Sequence, residues 1–222
     1  MNSTADEAPV EERGACALEG LRGQTYRLLG ALLRRAPDAE LLQALRETGR
    51  DPAEGEVGRA WGNLAEIAGD INPAAVDDEY HNLFIGLGRG ELLPYASYYL
   101  SGCLMGRPLA ALRGDLAALG FEREPGVSEP EDHAGALMDV MAVLADPGQG
   151  EPLELQQRFF ATHLADWVGV FFDDLQQADK ARFYRCVGAL GRAFFDLECG
   201  YLGVAARSER RRIGRSQTGE VR

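Results

Sequence analysis

The sequence is short of cysteine, of positive charge at its N-terminus and of long apolar runs, and each shortage excludes a class of protein. The four cysteines are widely spaced and include no C-x-x-C pair, which indicates neither a zinc site nor a disulfide framework. No apolar stretch approaches the roughly 20 residues of a membrane span, and the first twelve residues carry four acidic groups where a signal peptide would be basic. We therefore expect a cytoplasmic protein with reduced thiols and no stable membrane insertion.

Basic residues are also outnumbered by acidic ones. Lysine and arginine total 23 against 35 aspartates and glutamates, which gives a net charge of -12 over 222 residues. The last twenty residues hold six arginines and two glutamates, so the rest of the chain carries -16. This balance argues against nucleic acid and anionic membranes as partners, and it favours either a basic ligand or simple solubility.

Residues that could carry catalysis are sparse. The three histidines fall on three different predicted helices, and no cysteine stands beside an obvious base. The chain lacks Gly-x-Ser-x-Gly and the Glu-x-x-His pair of di-iron bundles, for which Asp78-x-x-His81 is a weak substitute. We expect a binding protein that is not an enzyme, with no catalytic residue, metal or cofactor.

Apolar residues recur at helical spacing, and no segment alternates with a period of two. The pattern predicts an all-α, single-domain helical bundle over residues 15–202, between a disordered acidic N-terminus at 1–14 and a basic disordered tail at 203–222. Asp38 and Asn72, the latter followed by Pro73, have the form of helix caps. One long aromatic helix should begin at Pro152, and the last helix should run from Asp179 to about Tyr201.

The stretch from Ser128 to His133 is predicted to begin a helix that reaches about Ala145. Ser128 and Glu131 have the spacing of a capping box, with Pro130 in the first turn. His133 would then face the core while Asp132 points to a flank. Two interpretations compete. In the first, Asp132 and the glutamates complement the positive end of the helix dipole, and His133 is an ordinary core histidine. In the second, Asp132 and His133 form a recognition point beside an apolar groove.

A glycine-punctuated loop runs from Ile85 to Pro94. Its alternating glycines, from Gly86 to Gly90, suggest a phosphate cradle, but no strand precedes them and no Gly-Lys-Ser/Thr follows. The loop is therefore interpreted as a hinge or surface loop. A helical protein that binds GTP or another nucleotide through this loop is the alternative hypothesis.

Five motifs stand along the chain in this order: Tyr80-x-x-Leu83-Phe84-x-Gly86, Pro94-Tyr95-x-Ser97-x-Tyr99-Leu100, Pro108-Leu109-x-x-Leu112-Arg113, Glu129-Pro130-x-Asp132-His133 and Phe160-x-x-His163-Leu164-x-x-Trp167. In their order and spacing they resemble the TorD/DmsD family, over roughly residues 15–202. Tyr80 and Tyr95 stand where some members of that family have tryptophan, and Asp166 stands where proline is expected before Trp167.

The resemblance implies a TorD-like fold and a cytoplasmic chaperone for molybdenum-containing redox enzymes. Such a chaperone binds the twin-arginine signal peptide of an apo-molybdoenzyme, of the dimethyl sulfoxide or trimethylamine N-oxide reductase type, and delays export until the cofactor is inserted. The resemblance places the peptide between the helix of Tyr80, the glycine loop and the helix start at Asp132. A plain helical adaptor is the remaining alternative, and the client enzyme and a monomeric or homodimeric state are left open.

Each expected site residue has a role in this interpretation. Asp132 and Glu129 should meet arginine, while the aromatic and aliphatic members line the apolar part of the groove. His133 should orient the loop or the ligand. The remaining residues shape the loop and the helix start. The expected signal-peptide-binding residues are Tyr80, Leu83, Phe84, Gly86, Pro94, Tyr95, Ser97, Glu129, Pro130, Asp132 and His133.

Overall fold

A computed structural model describes residues 10–48, 54–86, 89–123, 126, 128–148 and 152–205. Within these ranges the chain forms ten α-helices and no strand, which confirms the all-α prediction. The buried apolar side chains form one continuous core. The helices are α1 (Val10–Arg34), α2 (Ala39–Thr48), α3 (Gly55–Asp70), α4 (Pro73–Tyr80), α5 (Ala96–Ser101), α6 (Arg107–Ala118), α7 (Ala134–Leu144), α8 (Leu153–His163), α9 (Val168–Gln177) and α10 (Phe183–Leu202).

Two helix starts follow directly from local sequence. Asp38 Oδ1 accepts a hydrogen bond from the Leu41 amide at 2.9 Å, and Asn72 Oδ1 accepts one from the Ala75 amide at 2.8 Å. Both predicted caps are thus confirmed, because each side chain satisfies an amide that the first helical turn leaves unpaired. The start of α1 is five residues earlier than predicted. The segments predicted to be disordered otherwise lie outside the described residues, apart from 203–205.

The predicted long aromatic helix is in fact two helices, α8 and α9. At the junction the amides of Leu164 and Ala165 both donate to the Phe160 carbonyl, at 2.9 and 3.0 Å. The indole Nε1 of Trp167 donates to the His163 carbonyl at 2.7 Å. Trp167 therefore satisfies a helix-end carbonyl with its side chain, and the chain redirects without a glycine or proline to mark the break.

Close packing of α1 on α7 depends on two glycines. A Cβ at Gly30 would lie 2.5 Å from Asp139 Oδ1, and a Cβ at Gly135 would lie 3.0 Å from the Gly30 carbonyl oxygen. Neither contact leaves room for a side chain, so glycine at both positions lets the two backbones approach. As a consequence, the C-terminal turn of α1 lies against the first half of α7.

A buried ionic network joins α1, α8 and α10. Arg22 Nε and Nη2 donate to the two carboxylate oxygens of Glu198, both at 2.7 Å, and the Tyr26 hydroxyl donates to Glu198 Oε2 at 2.7 Å. Arg22 also donates to Gln156 Oε1 at 3.0 Å. The side chains of Arg22 and Glu198 are only 1% and 0% exposed. The network supplies the hydrogen bonds that such deeply buried charges require.

The described residues contain neither a membrane-spanning helix nor a cluster of metal-ligating side chains. None of their helices has the length and apolarity to cross a bilayer. Nor do three or more histidine, cysteine, aspartate or glutamate side chains within those residues gather in an arrangement that could hold a metal ion.

Candidate functional site

An antiparallel bridge between Tyr95 and His133 is the centre of the candidate site. The Ala96 amide donates to the Asp132 carbonyl at 3.0 Å, and the Ala134 amide donates to the Pro94 carbonyl at 2.7 Å. Because these backbone groups pair with another segment, the chain before Ala134 is held out of the helix. The predicted capping box at Ser128 is therefore wrong, and α7 begins six residues later.

His133 caps α7 instead. Its Nδ1 accepts a hydrogen bond from the Gly135 amide at 3.0 Å, and its ring meets that of Tyr95 edge-on with centroids 5.2 Å apart. The side chain is 5% exposed. Burial lowers the pKa of His133 to about 4, with Arg34 lowering it further while Glu129 and Asp132 oppose the shift. The ring is thus neutral near pH 7, and because Nδ1 accepts, its proton is on Nε2.

Asp132 is buried beneath the bridge. Its Oδ2 accepts a hydrogen bond from the Ser97 amide at 2.8 Å, and Ser97 Oγ in turn accepts one from the Met105 amide at 3.0 Å. The residue is 1% exposed, and its Oδ1 has no hydrogen-bond partner in the part of the chain that the structure describes. The carboxylate joins the bridge to α5 and to the loop that precedes α6.

Glu129 is held beside the bridge by Tyr95, whose hydroxyl donates to the Glu129 carboxylate. Burial, this hydrogen bond and the nearby negative charges raise the pKa of Tyr95 above its ordinary value. The phenol therefore stays protonated and remains a donor. Glu129 itself is exposed at the surface, where it can meet a further partner.

Tyr80, Leu83 and Phe84 support the site from the core side. The Tyr80 hydroxyl donates to the Arg34 carbonyl at 2.8 Å, and the Tyr80 ring lies 5.2 Å from that of Phe84 and 5.9 Å from that of Tyr184. Leu83 is fully buried. These side chains fix the end of α1 relative to α4 and α10, which determines where Arg34 emerges.

The glycine loop is built on a single π-helical turn, His81–Ile85. The Gly86 amide donates to the His81 carbonyl at 2.7 Å, and the Leu92 amide donates to the Leu83 carbonyl at 2.8 Å. Gly86 has a φ of 62°, and a Cβ there would overlap the Arg89 carbonyl. Because these two amides donate to backbone carbonyls, they cannot at the same time donate to a phosphate. The loop leads into Pro94, which is buried.

A pocket of about 260 Å³ opens beside the bridge, between α1, α6, α7 and residues 121–123 and 129–131. We call it the rim pocket. Three of the expected site residues line it, namely Glu129, Pro130 and His133. Its apolar wall comes from residues that the sequence did not single out for the site: Leu116, Phe121, Ala136 and Val140.

Charged side chains of both signs surround the rim pocket, and most of them are already paired. Arg34 Nη1 lies 2.7 Å from Asp139 Oδ2. Arg113 donates to Glu131 Oε2 through Nε at 3.0 Å and Nη2 at 2.8 Å. Among the described residues the set is three arginines and four carboxylates: Arg34, Arg113, Arg123, Glu122, Glu129, Glu131 and Asp139.

Glu131 is the most heavily engaged of these carboxylates. Arg123 Nη1 lies 3.8 Å from Glu131 Oε1, on the oxygen that Arg113 does not contact. Burial alone would raise the pKa of Glu131, but hydrogen bonds from Arg113 and from its own backbone, with the charges of Arg113 and Arg123, lower it below the ordinary value. Two guanidinium groups of the chain therefore share one carboxylate.

Sequence reasoning missed most of the rim. Arg113 is the last residue of a family motif, and the spacing of Glu131 from Ser128 predicts a capping box that does not form. Arg34 and Asp139 are 105 residues apart and meet only because α1 packs on α7. No local pattern predicts such a pair.

Comparisons with known proteins agree on one group. A family model described as "Nitrate reductase delta subunit" matches residues 50–173. The chaperone protein TorD of Vibrio cholerae serotype O1 (El Tor Inaba N16961) is 32% identical over 125 residues, which cover 52% of this chain and 57% of that protein. The Tat proofreading chaperone DmsD of Salmonella typhi is 30% identical over 177 residues, which cover 76% of this chain and 84% of that protein.

A solved structure has the same architecture. A crystal structure described as that of a redox enzyme maturation protein from Archaeoglobus fulgidus superposes with a TM-score of 0.54 and 17% sequence identity. The superposition covers 88% of this chain and 99% of that one. At this level of identity the likeness concerns the fold.

Proposed function

Because the chain belongs to the TorD/DmsD family, within the nitrate reductase delta subunit group, we propose that it is a maturation chaperone. In this proposal it binds the twin-arginine signal peptide of a molybdopterin-dependent oxidoreductase and assists cofactor insertion before export. The curated relatives reported above are named chaperones rather than enzymes. A binding role also agrees with the acidic charge balance.

One observation carries this proposal: the rim pocket places an apolar wall beside carboxylates. A twin-arginine signal peptide presents guanidinium groups followed by an apolar stretch, which is the complementary chemistry. The volume of about 260 Å³ is just below the range of roughly 300–1,000 Å³ typical of small-molecule sites. It suits one or two side chains, so the rest of the peptide would lie on the surface around it.

In this proposal Glu131 and Glu129 accept hydrogen bonds from arginine, while Phe121 and Val140 contact an apolar side chain. His133 also lines the pocket and carries its proton on Nε2. Asp132 acts by holding the bridge. Its direct contact with arginine stays a prediction, since Asp132 is 1% exposed.

Titration calorimetry with synthetic peptides tests the proposal. The probe is a peptide of about 25 residues with two adjacent arginines before an apolar segment, and the control is the same composition in scrambled order. We expect the ordered peptide to bind at least about tenfold more tightly, because only its sequence brings charge and apolar surface to the pocket together. Equal affinity for the two peptides would overturn the proposal.

A pair of variants locates the site. Glu131→Gln removes the charge of the least exposed rim ion pair and should weaken binding of the ordered peptide by about fivefold or more. Glu66→Gln makes the same chemical change at an exposed position on α3 and should leave binding as it was. Equal effects of the two substitutions would show that general acidity, not the rim pocket, attracts the peptide.

A further inference from the structure

We propose that Arg113 and Arg34 are internal occupants of the rim pocket, which an incoming arginine must displace before it can bind Glu131 and Asp139. The inference rests on the proposed function and adds a specificity device to it: the chain's own guanidinium groups compete with those of the ligand. Their removal should therefore strengthen binding, whereas removal of ordinary binding residues weakens it.

The geometry supports competition at Glu131. Arg113 contacts Oε2 through two nitrogens, and Arg123 approaches Oε1 from the other side. An incoming guanidinium that needs the same oxygens finds them engaged. A second pocket carboxylate is engaged as well, because Arg34 Nη1 lies 2.7 Å from Asp139 Oδ2.

Exposure makes this competition reversible. The Arg113 side chain is 52% exposed while Glu131 is 18% exposed, so the arginine can swing into solvent while the carboxylate stays at the pocket wall. Pairs exposed to this degree contribute little stability, because water and salt screen them. Exchange of one guanidinium for another also conserves the hydrogen bonds to the carboxylate. The free-energy cost of displacement is therefore small only for an incoming arginine whose guanidinium reaches the same oxygens.

The charge balance sets the selectivity. Among the described residues three arginines face four carboxylates around the pocket, so within this set an added cation meets one excess negative charge unless it displaces a resident arginine. Two adjacent arginines can take the places of Arg113 at Glu131 and of Arg34 at Asp139, whereas a single arginine displaces one of them and is repelled by the other. The resident arginines would thus favour a paired ligand over a single one.

The experiment compares wild type, Arg113→Gln and Arg34→Gln with two peptides, one carrying two adjacent arginines and one in which the second arginine is glutamine. We expect each substitution to tighten binding of the paired peptide by about two- to fivefold, the size of effect typical of an exposed pair. The preference for the paired over the single peptide should shrink in Arg113→Gln. Arg192→Gln, which breaks exposed pairs with Asp173 and Asp196 in α9 and α10, is the matched control and should bind as wild type does.

The outcomes separate this inference from the function on which it rests. If wild type binds the paired peptide and both arginine substitutions weaken binding or leave it unchanged, the competition is overturned while the proposed function stands. If wild type shows no preference for the ordered peptide over its scrambled control, both fail. Circular dichroism and thermal melting establish that each variant is folded, and Arg34→Gln gives an independent reading should Arg113→Gln disturb the segment that carries Glu131.

Discussion

Two sets of arginine–carboxylate pairs in this molecule use the same chemistry in opposite surroundings. Arg22 and Glu198 are sealed in the core with both guanidinium–carboxylate hydrogen bonds at 2.7 Å, whereas Arg113 and Glu131 meet at the edge of the rim pocket with similar distances. Distance therefore does not distinguish them. Exposure to solvent distinguishes them. The core pair cannot open without unfolding, whereas a ligand can replace Arg113 at the rim pair.

The difference follows from the cost of an unpaired charge. In the core, loss of one partner leaves the other charge without water, so the network with Tyr26 and Gln156 must form as a unit. At the rim, each partner returns to water when the pair opens. The comparison predicts large stability effects from substitutions at the first pair and small ones at the second.

The largest effect is expected from Glu198→Gln. The substitution leaves the Arg22 charge buried and unpaired, which should lower the free energy of unfolding by about 3–5 kcal/mol. Urea denaturation followed by circular dichroism measures the change. The double substitution Arg22→Met with Glu198→Leu removes both charges and should lose less than the single one.

A result for Glu198→Gln within about 1 kcal/mol of wild type would break the comparison, because it would mean that water reaches the core pair. Glu131→Gln is the matched exposed substitution. Its unfolding curve should nearly overlay that of wild type.

An intermediate effect is expected from pH, through His133. Its pKa is about 4 in the fold and near 6.5 in the unfolded chain, so the unfolded state binds more protons between these values. Above about pH 6.5 the histidine is neutral in both states and does not lower the free energy of unfolding. As the pH falls from 6.5 towards 4, protonation favours the unfolded state, and the free energy of unfolding decreases by at most about 3 kcal/mol. The charges that face the ring are Arg34, Glu129 and Asp132.

The variant His133→Asn isolates this dependence. Asparagine keeps a side-chain acceptor for capping α7 but does not titrate. Between pH 7 and 4.5 the stability of wild type should fall more steeply than that of the variant, as measured by urea denaturation at each pH. Parallel pH profiles would show that the imidazole is not the group that responds.

The smallest effect is expected from Arg34→Gln. The pair that Arg34 forms with Asp139 is about half exposed on both sides, so its loss should change the free energy of unfolding by less than about 1 kcal/mol. Arg22→Gln, in the same helix, should cost several times more. Similar melting temperatures for these two variants would remove the distinction between core and rim.

The helices were largely predictable because their signals are local. The caps at Asp38 and Asn72 are formed by side chains that reach amides three residues away, which sequence spacing captures. The break between α8 and α9 was not predictable, since it depends on a tryptophan that bonds a carbonyl four residues back rather than on glycine or proline. Ser128 failed as a cap because the segment after it pairs with residues 94–96 instead.

The candidate site was predicted only in part, and the reason is similar. Family motifs pointed to the bridge residues Tyr95, Asp132 and His133, which the structure does bring together. The rim pocket depends on pairs that are far apart in sequence and on the glycine contact between α1 and α7. Tyr80 was expected at the surface of the groove, but its hydroxyl is bonded to the end of α1.

The core ion pair also bears on how the chain is made. Arg22 precedes Glu198 by 176 residues, so it is synthesised well before the carboxylate with which it pairs. Until α10 has been translated, Arg22 has no carboxylate with which to be buried, and α1 cannot adopt its final position without isolating a charge. Synthesis of α10 is therefore a condition of folding, and a chain cut short before α10 should be degraded by proteases.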